Sequence, residues 1–226
     1  MSVGGSPLER RRGSRYSRTA MAFHWMIALL LLVTTGLALF REAFGAQAVW
    51  MISAHKITGL AILAAAVGRL GWRLAHRPPP FPSTVGRREA RVANTVHALL
   101  YFLAIFVPVA GWIFVSMAPE GRPLDYRGPD NIPELPLPVD DRASFAWHEV
   151  HEILGFAVIG FMLLHVAGVL RHEVLGEGAI ADRMLSRRRW FRLLIAAAVI
   201  LWLLGLSLDL LGVRLSQGAQ VGSPPG

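Results

Sequence analysis

Long apolar runs broken by short polar segments set the pattern of this chain. Residues 22–40 (AFHWMIALLLLVTTGLALF), 57–74, 98–118 and 190–211 (WFRLLIAAAVILWLLGLSLDLL) are four such runs, and 150–170 is a fifth. Each is long enough to cross about 30 Å of hydrocarbon as a helix. No alternating ten-residue pattern suggests a barrel, so helices remain as the way to satisfy the backbone in lipid. The pattern predicts an all-α integral membrane bundle of five spans.

Composition agrees: 54% of the 226 residues are hydrophobic and the mean hydropathy is +0.45, too apolar for an ordinary soluble domain. The first run is long and closely followed by others, so it is expected to stay attached rather than be cleaved as a signal peptide. Cysteine is absent. Disulfides, thiolate metal sites, iron–sulfur clusters and covalent c-type haem are thereby excluded, and a metal must be held by His, Met or carboxylate.

A net charge of +8 would suit a nucleic-acid partner, but the placement of the arginines gives a better account. Arg10, Arg11, Arg12, Arg15 and Arg18 precede the first span; Arg73, Arg77, Arg87, Arg88 and Arg91 lie between the second and third; Arg171, Arg183, Arg187, Arg188 and Arg189 lie between the fourth and fifth. All three groups fall on one side of a serpentine chain, the positive-inside distribution. In the 119–147 loop on the other side, Glu120, Asp125, Asp130, Glu134, Asp140 and Asp141 outnumber Arg122, Arg127 and Arg142. No nucleic-acid partner is expected. The chain is expected to lie in a bacterial inner membrane with its N-terminus cytoplasmic and its C-terminus periplasmic.

The connecting segments fit. The prolines of HRPPPFPSTVG (76–86) cannot continue a helix and stop the second span. Pro and Gly in RPLDYRGPDNIPELPLP argue against a long helix in the outer loop. Trp50, Trp72, Trp147 and Trp190 sit at span ends, where indole rings anchor at the interface. The expected organisation is a cytoplasmic basic tail (1–19), a four-helix domain (20–186), a fifth transmembrane helix (187–212) and a disordered periplasmic tail (213–226).

Histidines inside apolar runs call for an explanation, because ionisable groups in a membrane are costly. HEVHE (148–152) departs from the zinc-protease pattern H-E-x-x-H, since its second histidine comes three residues after the first. His165 follows His151 by 14 residues, which returns it to within about 40° of the same helix face and about 21 Å along the axis. His148 is rotated about 100° from His165 and reads as an interfacial bystander. His24 lies near the cytoplasmic end of the first span, level with His165; His55 lies at the outer start of the second, level with His151. Two cross-helix pairs result, one per leaflet, and facing imidazoles across a flat cofactor are how a bundle holds six-coordinate haem iron.

Gly59, Gly155 and Gly168, one turn or so from the histidines, would leave room for a macrocycle or serve as helix-packing residues. Arg69, 14 residues after His55, is placed to pair with a haem propionate or to snorkel to the surface. Arg73, one turn nearer water, and His76, before the prolines, read as surface groups. Glu149 and Glu152 are expected at the outer N-terminus of the fourth span, where they suit the helix dipole. Asp209 is expected at the interface.

These residues resemble a family, the bacterial cytochromes b561, related to the cytochrome b subunits of formate dehydrogenases and hydrogenases. RYSRTAMAFHW (15–25), HKITGLAILAAAVGRLGWRL followed by HRPPP (55–80), HALLYFLAIFVPVAGW (97–112) and HEILGFAVIGFMLLH (151–165) look like its four successive helices. The resemblance covers roughly residues 15–186, and the fifth span departs from the four-helix pattern.

The resemblance implies two b-type haems, the inner on His24 and His165, the outer on His55 and His151. It implies electron transfer between a donor and a membrane quinone, ubiquinone or menaquinone, either as a self-contained oxidoreductase such as a superoxide:quinone or quinol enzyme, or as the anchor of a separate dehydrogenase or periplasmic redox partner. Quinone chemistry needs protons, so a titratable group near one haem is expected. His172, seven residues past His165, is the first candidate and His97, at the start of the third span, the second; each is also readable as a solvated histidine at a helix end. A third class is a non-haem transporter with a histidine proton relay.

Overall fold

The computed structural model describes residues 15–40, 48–81, 85–119, 132–174 and 181–184. Four long helices and one short one account for most of them: α1 (Arg18–Phe40), α2 (Ala48–Ala75), α3 (Arg87–Met117), α4 (Asp141–Val174) and α5 (Ala181–Met184). The first four are long and apolar enough to cross a membrane, and among the described residues there is no strand. The fold is an all-helical membrane bundle. The fifth apolar run, the 1–14 part of the basic tail, the 120–131 part of the outer loop and the C-terminal tail lie outside the described residues.

The helices alternate in direction. The end of α1 meets the start of α2, where Thr34 bonds His55, and the start of α3 meets the end of α4, where Arg171 Nη1 donates to Glu89 Oε1 at 2.8 Å. Packing is most extensive between α3 and α4 and between α1 and α2, with α2 and α3 joining the two halves. Small residues make the close approaches: Ala65, Ala66 and Ala104 form the core with Ile27 and Ile62, and Ala66 is completely buried. That suits helix association in lipid, where van der Waals contact replaces the hydrophobic drive. Leu29, Ile57, Phe102, Ile153, Phe156 and Leu164 point outward as a lipid-facing surface.

All four long helices exceed their apolar runs, and three start well before them; α2 begins at Ala48 rather than 57. α3 starts at Arg87 rather than 98, because RREARVANTV contains no breaker and Glu89 Oε2 accepts from the Gly86 N–H at its start. His97 therefore stands ten residues into α3, within the bundle and away from the helix N-terminus. α4 starts at Asp141 rather than 150, with Asp140 as its cap, Oδ1 accepting from Ala143 N at 3.0 Å. This corrects the place given to Glu149 and Glu152: they lie two to three turns inside α4, and the acidic residue of its first turn is Asp141. α2 ends at Ala75, directly before the proline segment.

The outer end is tied down by hydrogen bonds from the 132–140 segment. Trp112 Nε1 donates to Pro133 O at 2.9 Å, Leu135 N to Ser116 Oγ at 2.9 Å, and Asp140 N to Met117 O at 3.0 Å. At the opposite end α5 is held in place, where Arg183 Nη2 donates to Pro80 O at 2.7 Å and Met184 O accepts from Trp25 Nε1 at 3.0 Å.

Candidate functional site

Alternating helix direction brings the start of α1 beside the end of α4, and the start of α2 beside the first half of α4. The His24 and His165 ring centres are 6.1 Å apart, and those of His55 and His151 are 5.9 Å apart. All four rings are half-buried. A metal–imidazole bond is about 2 Å, and the ring centre lies about 1 Å further, so two imidazoles on opposite sides of one metal stand about 6 Å apart. Both pairs have that spacing.

The outer pair has a defined proton arrangement. His55 Nδ1 lies 2.9 Å from Thr34 O, and His151 Nδ1 lies 2.9 Å from Val107 O. A carbonyl only accepts, so each Nδ1 is the protonated donor and each Nε2 has a lone pair to offer. A ligating histidine usually has this arrangement, with its second nitrogen held by an outer hydrogen bond. Thr34 Oγ1 adds contacts of 3.1 Å to His55 Nδ1 and 3.4 Å to its carbonyl. The donor set suits haem iron.

Gly111 is why His151 can reach Val107. A Cβ there would stand 2.9 Å from both Cε1 and Nδ1 of the imidazole, so only a glycine lets the ring lie against the α3 backbone. Gly59, Gly155 and Gly168 differ, since a Cβ on any of them meets nothing within 4 Å. Gly36, Gly71 and Gly160 are equally open, so this freedom is not particular to the histidine levels.

The inner level is more crowded. His97 stands against His165 with ring centres 5.0 Å apart, and its Nδ1 donates to Ala93 O at 2.7 Å. Arg69 is close enough to interact electrostatically with His24, His97 and His165. Its guanidinium lies over the Tyr101 ring at 5.1 Å, and Arg73 joins it at 5.7 Å. Arg69 is half-buried. His172 lies in the last turn of α4, half-buried and away from the inner pair by seven residues.

The remaining histidines are peripheral. His148 packs edge-on against Phe114 at 4.9 Å and reaches Glu149 at 4.0 Å; with Glu152 it forms a loose, largely exposed group. His76 is exposed and stacked on Trp72 at 3.8 Å. Sequence reasoning missed Thr34, Gly111 and Val107, and it placed His97 too near the helix end. VPVAGW, with a proline and a glycine inside an apolar run, was the one available signal for the Val107–Gly111 notch.

The chain is similar to known proteins over most of its length. A family model described as prokaryotic cytochrome b561 matches residues 15–187. The chain is 27% identical over 179 residues to cytochrome b561 homolog 2 of Escherichia coli strain K12, covering 76% of this chain and 92% of that protein. It is 26% identical over 184 residues to a protein of Yersinia pestis named probable superoxide oxidase CybB, covering 77% of this chain and 98% of the relative.

Proposed function

This chain belongs to the prokaryotic cytochrome b561 family, and from that premise we propose that it transfers electrons between a donor and the membrane quinone pool through two b-type haems. Membership makes it a multi-pass bacterial membrane protein and a b-type cytochrome working in electron transfer. The number two rests on one observation, the pair of histidine contacts at 6.1 Å and 5.9 Å on separate levels of the bundle.

When bound, haem supplies a one-electron carrier at each level. His24 and His165 hold the inner group, His55 and His151 the outer. Thr34 and Val107 fix the outer imidazoles through their carbonyls. Arg69, held over Tyr101, offers a guanidinium to a propionate at the inner level. Residues 20–186 form the di-haem unit, and 187–212 add a fifth span. The basic segments face the cytoplasm and the outer loop the periplasm.

A quinone takes up two electrons and two protons, so its site needs a proton partner. His172 fills that role at the cytoplasmic end of α4, with ubiquinone or menaquinone as the substrate. The name of the Yersinia relative makes superoxide the first donor to test. The fifth apolar run favours a second reading, in which this chain anchors a separate dehydrogenase or a periplasmic redox partner.

Haem per polypeptide, measured on the purified protein, tests the core of the proposal. The expected count is two, falling to one in His55→Ala and in His165→Ala. A count of one in the wild type, or two in both variants, would sink it. Superoxide-driven quinone reduction is expected to slow about 10²-fold or more in His172→Ala; an unchanged rate removes His172. A stoichiometric partner surviving purification in mild detergent would favour the anchor reading.

A further inference from the structure

We infer, resting on the di-haem reading, that Arg69 and Arg73 form a single anion cradle on the ring of Tyr101, which takes both propionates of the inner haem. A partner for one carboxylate thereby becomes a site for two, with Arg73 as its second arm.

Arginine in a membrane segment is costly unless it reaches water or is partnered. Arg77, Arg87, Arg88 and Arg91 are exposed, as arginines at a membrane surface should be. Arg69 and Arg73 differ. Both are half-buried, and they stand four residues apart on one face of α2. Both guanidinium carbons lie over the same ring on the neighbouring helix α3, 5.1 Å and 5.7 Å from the centre of Tyr101. The negative face of that ring attracts each cation.

The ring is uncharged and leaves both charges in place. Like charges four apart on a helix repel, and Arg73 acts on Arg69 in that sense. Among the described residues no carboxylate pairs with either, and Glu89, at the same end of the bundle, is taken by Arg171 at 2.8 Å. Two adjacent cations aligned by one ring suit a dianion.

A b-type haem presents one, two carboxylates on a single edge, and arginine binds carboxylate through charge-assisted bidentate hydrogen bonds. The level matches, since Arg69 is close enough to His24, His97 and His165 to act on each electrostatically. A lipid phosphate, the other anion of a membrane, meets the exposed arginines first. The iron ligands come from α1 and α4 and the carboxylate partners from α2, backed by α3. One cofactor thus joins all four helices.

Cations beside the carboxylates favour the reduced, more negative haem, so removing one lowers its midpoint potential. Resonance Raman spectroscopy and redox potentiometry of the purified holoprotein, with wild type, Arg73→Gln and Arg73→Lys, test this. In Arg73→Gln both haems are expected to remain bound, with the propionate bending band shifted, one midpoint potential lowered and the other unchanged. Arg73→Lys keeps the charge and is expected to hold both potentials near the wild type. If the Gln variant does not assemble, Arg73→Met, uncharged and of similar length, replaces it with the same expectation. An unmoved band and unchanged potentials in the uncharged variant overturn the inference. Stabilisation of the wild type, and not of the uncharged variant, by added anionic phospholipid with the band unmoved also overturns it, because the arginines would then bind lipid phosphate. A wild type with one haem, or a His165→Ala variant that keeps two, defeats the di-haem reading instead.

Discussion

Gly111 carries no functional group, yet it decides where His151 stands. Its missing Cβ leaves the 2.9 Å approach that lets the imidazole reach Val107 O. Gly111→Val is expected to displace that ring and to yield protein with one haem instead of two, measured as haem per polypeptide. Thr34→Val should do less, since the bond from His55 to the Thr34 carbonyl survives loss of the hydroxyl. A fall in outer-haem affinity below the about 10–100-fold typical of losing an outer-shell partner is expected, read from haem release to an acceptor protein. The four paired histidines were legible in the sequence because helix periodicity turns a 14-residue interval into a shared face. Gly111, Thr34 and Val107 were not, because a side chain meeting the backbone of another helix leaves no period along either one.

Between helices, small residues set the distance. Ala66 is fully buried where α1, α2 and α3 meet, in a cluster with Ile27, Ile62, Ala65 and Ala104. Ala66→Leu forces extra volume into that contact and is expected to cost about 1–3 kcal/mol, seen as a lower midpoint for thermal unfolding in detergent. At the outer end of α4, Asp140 caps the helix through Ala143 N. Asp140→Ala is expected to cost about 1 kcal/mol in the same assay, with the haem spectrum unchanged. Apolar runs located all four described spans but misjudged three starts, those of α2, α3 and α4. Hydropathy reports where hydrocarbon covers a helix, whereas the helix continues to its N-caps, Gly86 for α3 and Asp140 for α4. That difference moved His97 into the bundle and carried Glu149 and Glu152 off the first turn.

At the scale of the whole molecule, charge and the histidine layers point the same way: basic segments and the inner pair on one side, the outer pair and the 132–140 segment on the other. The absence of cysteine makes this directly testable. Leu137→Cys should react with an impermeant maleimide in intact cells, and Arg77→Cys only after the inner membrane is opened; the reverse pattern would invert the topology. Hydropathy and charge alone determined the class, a helical membrane bundle, because lipid permits few ways to satisfy a backbone. Histidine spacing determined which residues share a face, because α-helix geometry is fixed. What only the tertiary structure decided is the company those faces keep: His97 against His165, Gly111 under His151, Arg69 over Tyr101. Such contacts depend on the distance and rotation between packed helices, set jointly by side chains far apart in the chain, and no single helix carries that information.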